Sequence, residues 1–119
     1  MSVIPSQFGI LSKLLDASAL RHRAVSQNLA NVNTPGYRRL EVSFEEELAS
    51  QMSGSSAVDV SRLNPEMIES AGLPVRADGN NVDIDVEMGQ MNKNALLYQT
   101  YTQVLASKIG TMRSAITGR

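Results

Sequence analysis

IDVEMGQMNKNALLYQTYTQVLASKIGTMRSAI, residues 84–116, decides the fold. Along it Ile84, Met88, Met91, Ala95, Tyr98, Thr102, Leu105, Ile109, Met112 and Ile116 follow one another at alternating spacings of four and three. That alternation keeps one seam facing a partner as helices wind, which is the requirement of coiled-coil packing rather than of a globular core helix. The opposite end of the chain carries a matching stripe. Ile4, Phe8, Leu11, Leu15, Ser18, His22, Val25, Leu29 and Val32 repeat the spacing, apolar but for Ser18 and His22.

Helices of these lengths would be rods of roughly 40 and 50 Å at about 1.5 Å per residue. A compact chain of this size has a radius of gyration of only about 13 to 14 Å. The expected fold is therefore mainly α: elongated N- and C-terminal helices paired as a coiled-coil hairpin, with an irregular, partly extended middle segment. Residues 1–33 form the first helix, 34–79 the turn, arm and middle, and 80–119 the second helix.

Composition suits helix seams. There is no Trp and no Cys, with two Phe and three Tyr, so Leu, Ile, Val, Met and Ala must do the packing. Without Cys, neither disulfides nor thiolate metal sites are available. Lys13, Asp16, Arg21 and Arg23 interrupt any apolar run long enough for a signal or membrane helix, so a cytoplasmic location, or export without a cleaved signal and without membrane insertion, is expected. The net charge of −1 conceals a segregation: residues 1–39 carry +4, 40–79 carry −6 and 80–119 carry +1. A basic stretch tethered to a larger acidic one is a poor nucleic-acid surface, and pairing within or between chains is the better use.

The end of the first helix is readable. Asn33 accepts a left-handed C-terminal conformation, Pro35 pushes Thr34 out of the helical region, and Pro35-Gly36 suits the centre of a type II turn. Beyond it Leu40, Val42 and Phe44 alternate with polar residues, predicting a short strand, and Glu45 to Met52 a brief helix. Ser53-Gly54-Ser55-Ser56 reads as a linker, and Asn64-Pro65 as the opening of a helical turn through Met67 and Ile68. Asp78-Gly79-Asn80-Asn81 is a turn, after which Asn81 or Asp83 caps the second helix, with Asp85 and Glu87 favouring its positive end.

No constellation carries catalysis. The only histidine, His22, has serines but no carboxylate at helical spacing, and reads as a polar step that fixes register. In a calcium loop counted from Asp83, Met88 would stand where glycine is needed and Asn94 where a bidentate acid is needed. Phosphate-loop and nucleophile-elbow patterns are absent, so neither enzyme activity nor a cofactor is expected.

The segment ALRHRAVSQNLANVNTPGYRR, residues 19–39, resembles the signature of bacterial flagellar axial proteins, carried here by Ala30, Asn31, Thr34, Pro35, Gly36 and Tyr37. DGNNVDIDVEM at 78–88, followed by the second seam, is similar to the proximal-rod members of the basal body, the FlgB type. The resemblance spans roughly 5–45 and 78–117 and leaves 48–77 unmatched. It implies a structural subunit that polymerises through its terminal helices into a tubular segment crossing the periplasm. Its partners would be other copies, sibling rod proteins and the flagellar export apparatus.

Phe8, Leu11, Leu15, His22, Val25 and Leu29 would then be the N-terminal seam, and Met88, Met91, Tyr98, Leu105, Ile109 and Met112 the C-terminal one. Ile10, Leu14, Ala17 and Ala24, with Leu97, Tyr101 and Val104, flank these seams and are expected to stay wet until neighbours cover them. A different axial component, or a helical adaptor or export chaperone holding one partner helix, is the alternative reading.

Overall fold

Helix α1 spans Val3–Ala30, with Pro5 in its first turn, where the amide that proline lacks would have no helical partner. Strand β1 (Leu40–Ser43), α2 (Glu45–Ser53), a 3-10 turn at Val60–Arg62 and strand β2 (Glu66–Glu69) follow, and α3 (Ile84–Thr117) closes the chain. The computed structural model describes residues 3–118, with side chains from Gln7 onward. The side chain of Ile4, expected on the first seam, lies outside the described residues, as do Met1, Ser2 and Arg119.

The two long helices run antiparallel as an elongated hairpin. Asn28 meets Glu87 at one end, Asn94 bonds the carbonyl of Ser18 midway at 2.8 Å, and Lys108 reaches Gln7 at the other end at 2.7 Å. Overall dimensions of 63 × 31 × 16 Å and a radius of gyration of 17.9 Å give a rod well beyond a compact chain. Asp83 caps α3, its carboxylate accepting from the amides of Asp85 and Val86.

The middle segment is better built than its sequence indicates. Glu66–Glu69 is a strand rather than a helical turn, pairing antiparallel with β1 so that Leu40 faces Glu69 and Val42 faces Met67. Pairing satisfies the edge of β1 and turns Met67 toward the core, which outweighs the weak strand propensity of the glutamates. Val42, Phe44 and Leu63 are buried against Ala17 and Ala24 of α1, with Ile10, Leu14 and Leu20 around them. The strip expected to stay wet on α1 is thus covered by this chain's own arm. Alanines permit that close approach, and so does Gly9, where a Cβ would stand 2.9 Å from Val60.

Within the chain the seam of α3 is also turned from the apolar row. Glu87 and Asn94 are the buried residues of α3, with Gln90, Met91, Leu97, Tyr101, Leu105 and Lys108 half-buried. Met88, Tyr98, Ile109 and Met112 are exposed, Tyr98 at 48%. A buried carboxylate or amide costs more than a buried Met gains unless it finds partners, and α1 with the arm supplies those of Glu87 and of the Asn94 Nδ2, while the Asn94 Oδ1 is buried without a hydrogen-bond partner. Inward placement of Glu87 and Asn94 therefore carries Met88, Tyr98, Ile109 and Met112 outward and leaves Met91 and Leu105, of the same predicted row, half-buried. On α1 the buried series is Leu11, Ser18, Val25 and Asn28; Phe8, Leu15 and Leu29 are half-buried, and His22 is exposed rather than a step in the seam. Half-buried Arg21, bonded to Glu45 at 2.6 Å, borders that face in its place.

Candidate functional site

The two turns singled out in the sequence lock into each other. Thr34, Pro35, Gly36 and Tyr37 form a type II turn, closed by the Tyr37 amide on the Thr34 carbonyl at 3.2 Å, with Gly36 at φ +75°. Against it lies Asp78 to Asn81. The Gly36 amide donates to the Asp78 carbonyl at 2.8 Å, and Gly79, at φ +85°, sits so close that a Cβ would fall 3.2 Å from the Gly36 Cα. Both glycines occupy the left-handed region, where a side chain costs roughly 1 kcal/mol or more.

Asn80, fully buried, is the centre of this contact. Its Nδ2 reaches the carbonyls of Asn31 at 2.8 Å, Val32 at 3.2 Å and Thr34 at 2.9 Å, while its Oδ1 accepts from the Val82 amide at 2.7 Å. Arg76 adds donors to the carbonyls of Val32 and Val82. Carbonyls in the turn that follows a helix need partners, and for the turn after α1 a segment nearly fifty residues away supplies them.

A second buried cluster adjoins the first. Asn28 is saturated: its Nδ2 donates to the Leu40 carbonyl at 2.9 Å and Glu87 Oε2 at 3.1 Å, and its Oδ1 accepts from the Leu40 amide and the Tyr37 hydroxyl, each at 2.9 Å. Glu87, wholly buried, also accepts from Arg39 Nε, and Arg39 Nη1 continues to Ser70 at 2.7 Å. Asn81 Oδ1 takes the Arg39 amide at 2.5 Å. Burial, and then the nearby charge of Glu87, push the Tyr37 hydroxyl above its ordinary pKa of 10.0.

Of the signature residues, Asn31 bonds the Gln27 carbonyl at 2.8 Å and accepts from the Thr34 hydroxyl at 3.1 Å, while Ala30, Thr34, Pro35 and Gly36 are exposed. The side chains that join the two turns are Asn28, Arg39, Arg76, Asn80 and Glu87; all but Arg76 lie within residues 19–39 and 78–88, but none is one of the six signature residues. One signal for them was present: Asn80, Glu87, Asn94, Tyr101 and Lys108 recur every seven residues, a polar series in step with the apolar one. The chemistry of the clasp is acceptor satisfaction and charge pairing. Among the described residues no group of three or more His, Cys, Asp or Glu side chains could hold a metal, and no helix is long and apolar enough to cross a membrane.

No family model matches the chain. Its full length is nonetheless similar to curated flagellar basal body rod proteins FlgB. That of Bacillus subtilis is 28% identical over 127 residues, covering 99% of this chain and 98% of the relative. That of Aeromonas hydrophila is 30% identical over 122 residues, covering 93% and 92%, and that of Escherichia coli is 30% identical over 121 residues, covering 86% of each. With identity of 30% sustained over nine-tenths of its length, a chain with two clasped turns and a two-helix rod belongs to the flagellar basal body rod protein FlgB family.

Proposed function

We propose that this chain is a structural subunit of the proximal flagellar rod, assembling through its terminal helices with other basal-body rod proteins into a tube needed for motility. The observation that carries this is the outward row of α3. Met88, Tyr98, Ile109 and Met112 lie exposed on a helix whose opposite face is already committed to α1. A large apolar side chain moved from water to an interface contributes about 1.5 to 3 kcal/mol, so docking this row would help order a tube.

The clasp supports the same reading. It fixes the angle at which the arm leaves the helical pair, so the signature residues Ala30, Asn31, Thr34, Pro35, Gly36 and Tyr37 serve to present an arm of fixed direction to neighbours. Three working parts follow: 1–33, which carries α1; the arm, 34–79; and 80–119, which carries the end of the clasp and α3. The chain reaches its place in the periplasm through the flagellar export apparatus, acts without catalysis, and binds no nucleic acid.

Replacement of Tyr98 by Glu in a strain relying on this chain tests the proposal. The variant should keep the melting temperature of the purified protein and lose swimming in soft agar. Full motility with a charge at that position would remove the row from the assembly.

A further inference from the structure

The apolar row of α3 ends in a ridge with no cover in the chain. Ile109, Met112 and Ile116 are exposed, Ile116 at 81%, and Arg113 shares their helical face. At the opposite end of the rod a groove of about 1020 Å³ opens between α1, β1 and residues 73–86, its apolar lining including Val25, Leu73, Val82, Ile84 and Val86. Leu73, Ile84 and Val86 are themselves exposed. Val86 and Met112 lie on one helix about 39 Å apart at 1.5 Å per residue, so ridge and groove of one molecule cannot meet.

We propose that this groove receives the α3 tip, residues 109–116, of a second copy of the chain. Charge selects the occupant. The cations around the groove are already engaged, Arg21 by Glu45, Arg39 by Glu87 and Glu41, and Arg76 by Asp78. Asp83 and Asp85 stand on the rim with no cation paired to them among the described residues, so the rim offers negative charge. The ridge brings the complement, since Arg113 lies among Ile109, Met112 and Ile116. Two different surfaces at opposite ends make a heterologous contact, which repeats head to tail and does not close on itself as a symmetric dimer does. This contact rests on the assembly reading above and gives it an axial component.

The absence of native cysteine makes the test clean. Val86→Cys/Met112→Cys, oxidised at rising protein concentration, should form a ladder of disulfide-linked oligomers whose links, read by peptide mass spectrometry, join 86 to 112, while each single variant gives little dimer. Asp85→Lys or Arg113→Glu on that background should each lower ladder yield about threefold, the effect of one exposed ion pair, and the two together should restore it. Sedimentation of the same samples separates the two levels of the proposal. Concentration-dependent assembly without the 86–112 link, or a link from residue 112 to a sibling rod protein alone in intact basal bodies, overturns the groove contact and leaves assembly standing. A chain that stays monomeric at every concentration overturns both.

Discussion

The two ends of the rod are built on opposite terms. At the clasp end, Asn28, Asn80 and Glu87 are fully buried and hydrogen-bonded, so the contact is complete within one chain. At the far end, every described residue from Ile109 onward is exposed, and α3 is tied to α1 there by Lys108 on Gln7. One end is specified by polar groups that accept few alternatives; the other is left apolar and open. Polar satisfaction fixes geometry within the chain, and bare apolar surface creates the demand for neighbours. Substitutions at the two ends should therefore separate folding from assembly.

Glu87→Ala should give the largest loss of stability. Removing one partner of a buried ion pair leaves Arg39, whose side chain is 12% exposed, with only the exposed Glu41 at 3.4 Å as a counter-charge, at a cost of about 3 kcal/mol. Denaturant unfolding of the purified chain measures it. Met88→Ala, one residue along and 46% exposed, should change the same midpoint by well under about 1 kcal/mol while weakening assembly. Equal losses for the two would abolish the contrast between inward and outward faces.

Leu105→Pro acts on the open half. A proline there removes a helical hydrogen bond and kinks α3, at about 3 kcal/mol or more. Since the clasp is about twenty-five residues distant, the amides of Asn80 to Val86 should keep their protection in hydrogen exchange while swimming is lost. A motile strain with this change would show that α3 beyond the clasp is dispensable.

These differences also mark what could be read from residues alone. The turn at Pro35-Gly36 and the start of α3 at Asp83 were legible because their causes are local: a fixed φ, a glycine at positive φ, a carboxylate over two amides. Strand β2 was not, because Glu66–Glu69 has no strand pattern of its own and becomes a strand only by pairing with β1. Nor was the inward face of α3 legible. Apolar and polar series run in step along that helix, and the choice between them is made by Asn28 and Arg39, which no spacing on α3 announces. The covered strip at Ala17 and Ala24 escaped for the same reason, since the arm that covers it returns from residues 42 to 63.

Asn80→Ala probes the clasp at intermediate cost. It withdraws an amide from three carbonyls, of which Val32 keeps Arg76 as a partner. Unpaired buried acceptors cost about 1 to 3 kcal/mol, so a loss near 2 is expected in thermal unfolding. Motility should fall because the arm's exit angle is no longer held, whereas a swimming strain with the destabilised chain would confine Asn80 to stability.

Tyr37→Phe should have the smallest effect, because Asn28 Oδ1 keeps the Leu40 amide when the hydroxyl is removed. The loss near neutral pH is about 1 kcal/mol, one hydrogen bond. The variant is most informative in alkali. With its pKa raised in the folded state by burial and by Glu87, Tyr37 keeps its proton while the unfolded chain releases it, so the stability it supports is complete below pH 10.0 and drains as pH rises through the folded value. The diagnostic quantity is the difference in stability between wild type and Tyr37→Phe, followed with pH. That difference should shrink above pH 10.0; if it is flat with pH, the hydroxyl is solvated in the folded chain, and the clasp is looser at Tyr37 than its contact with Asn28 implies.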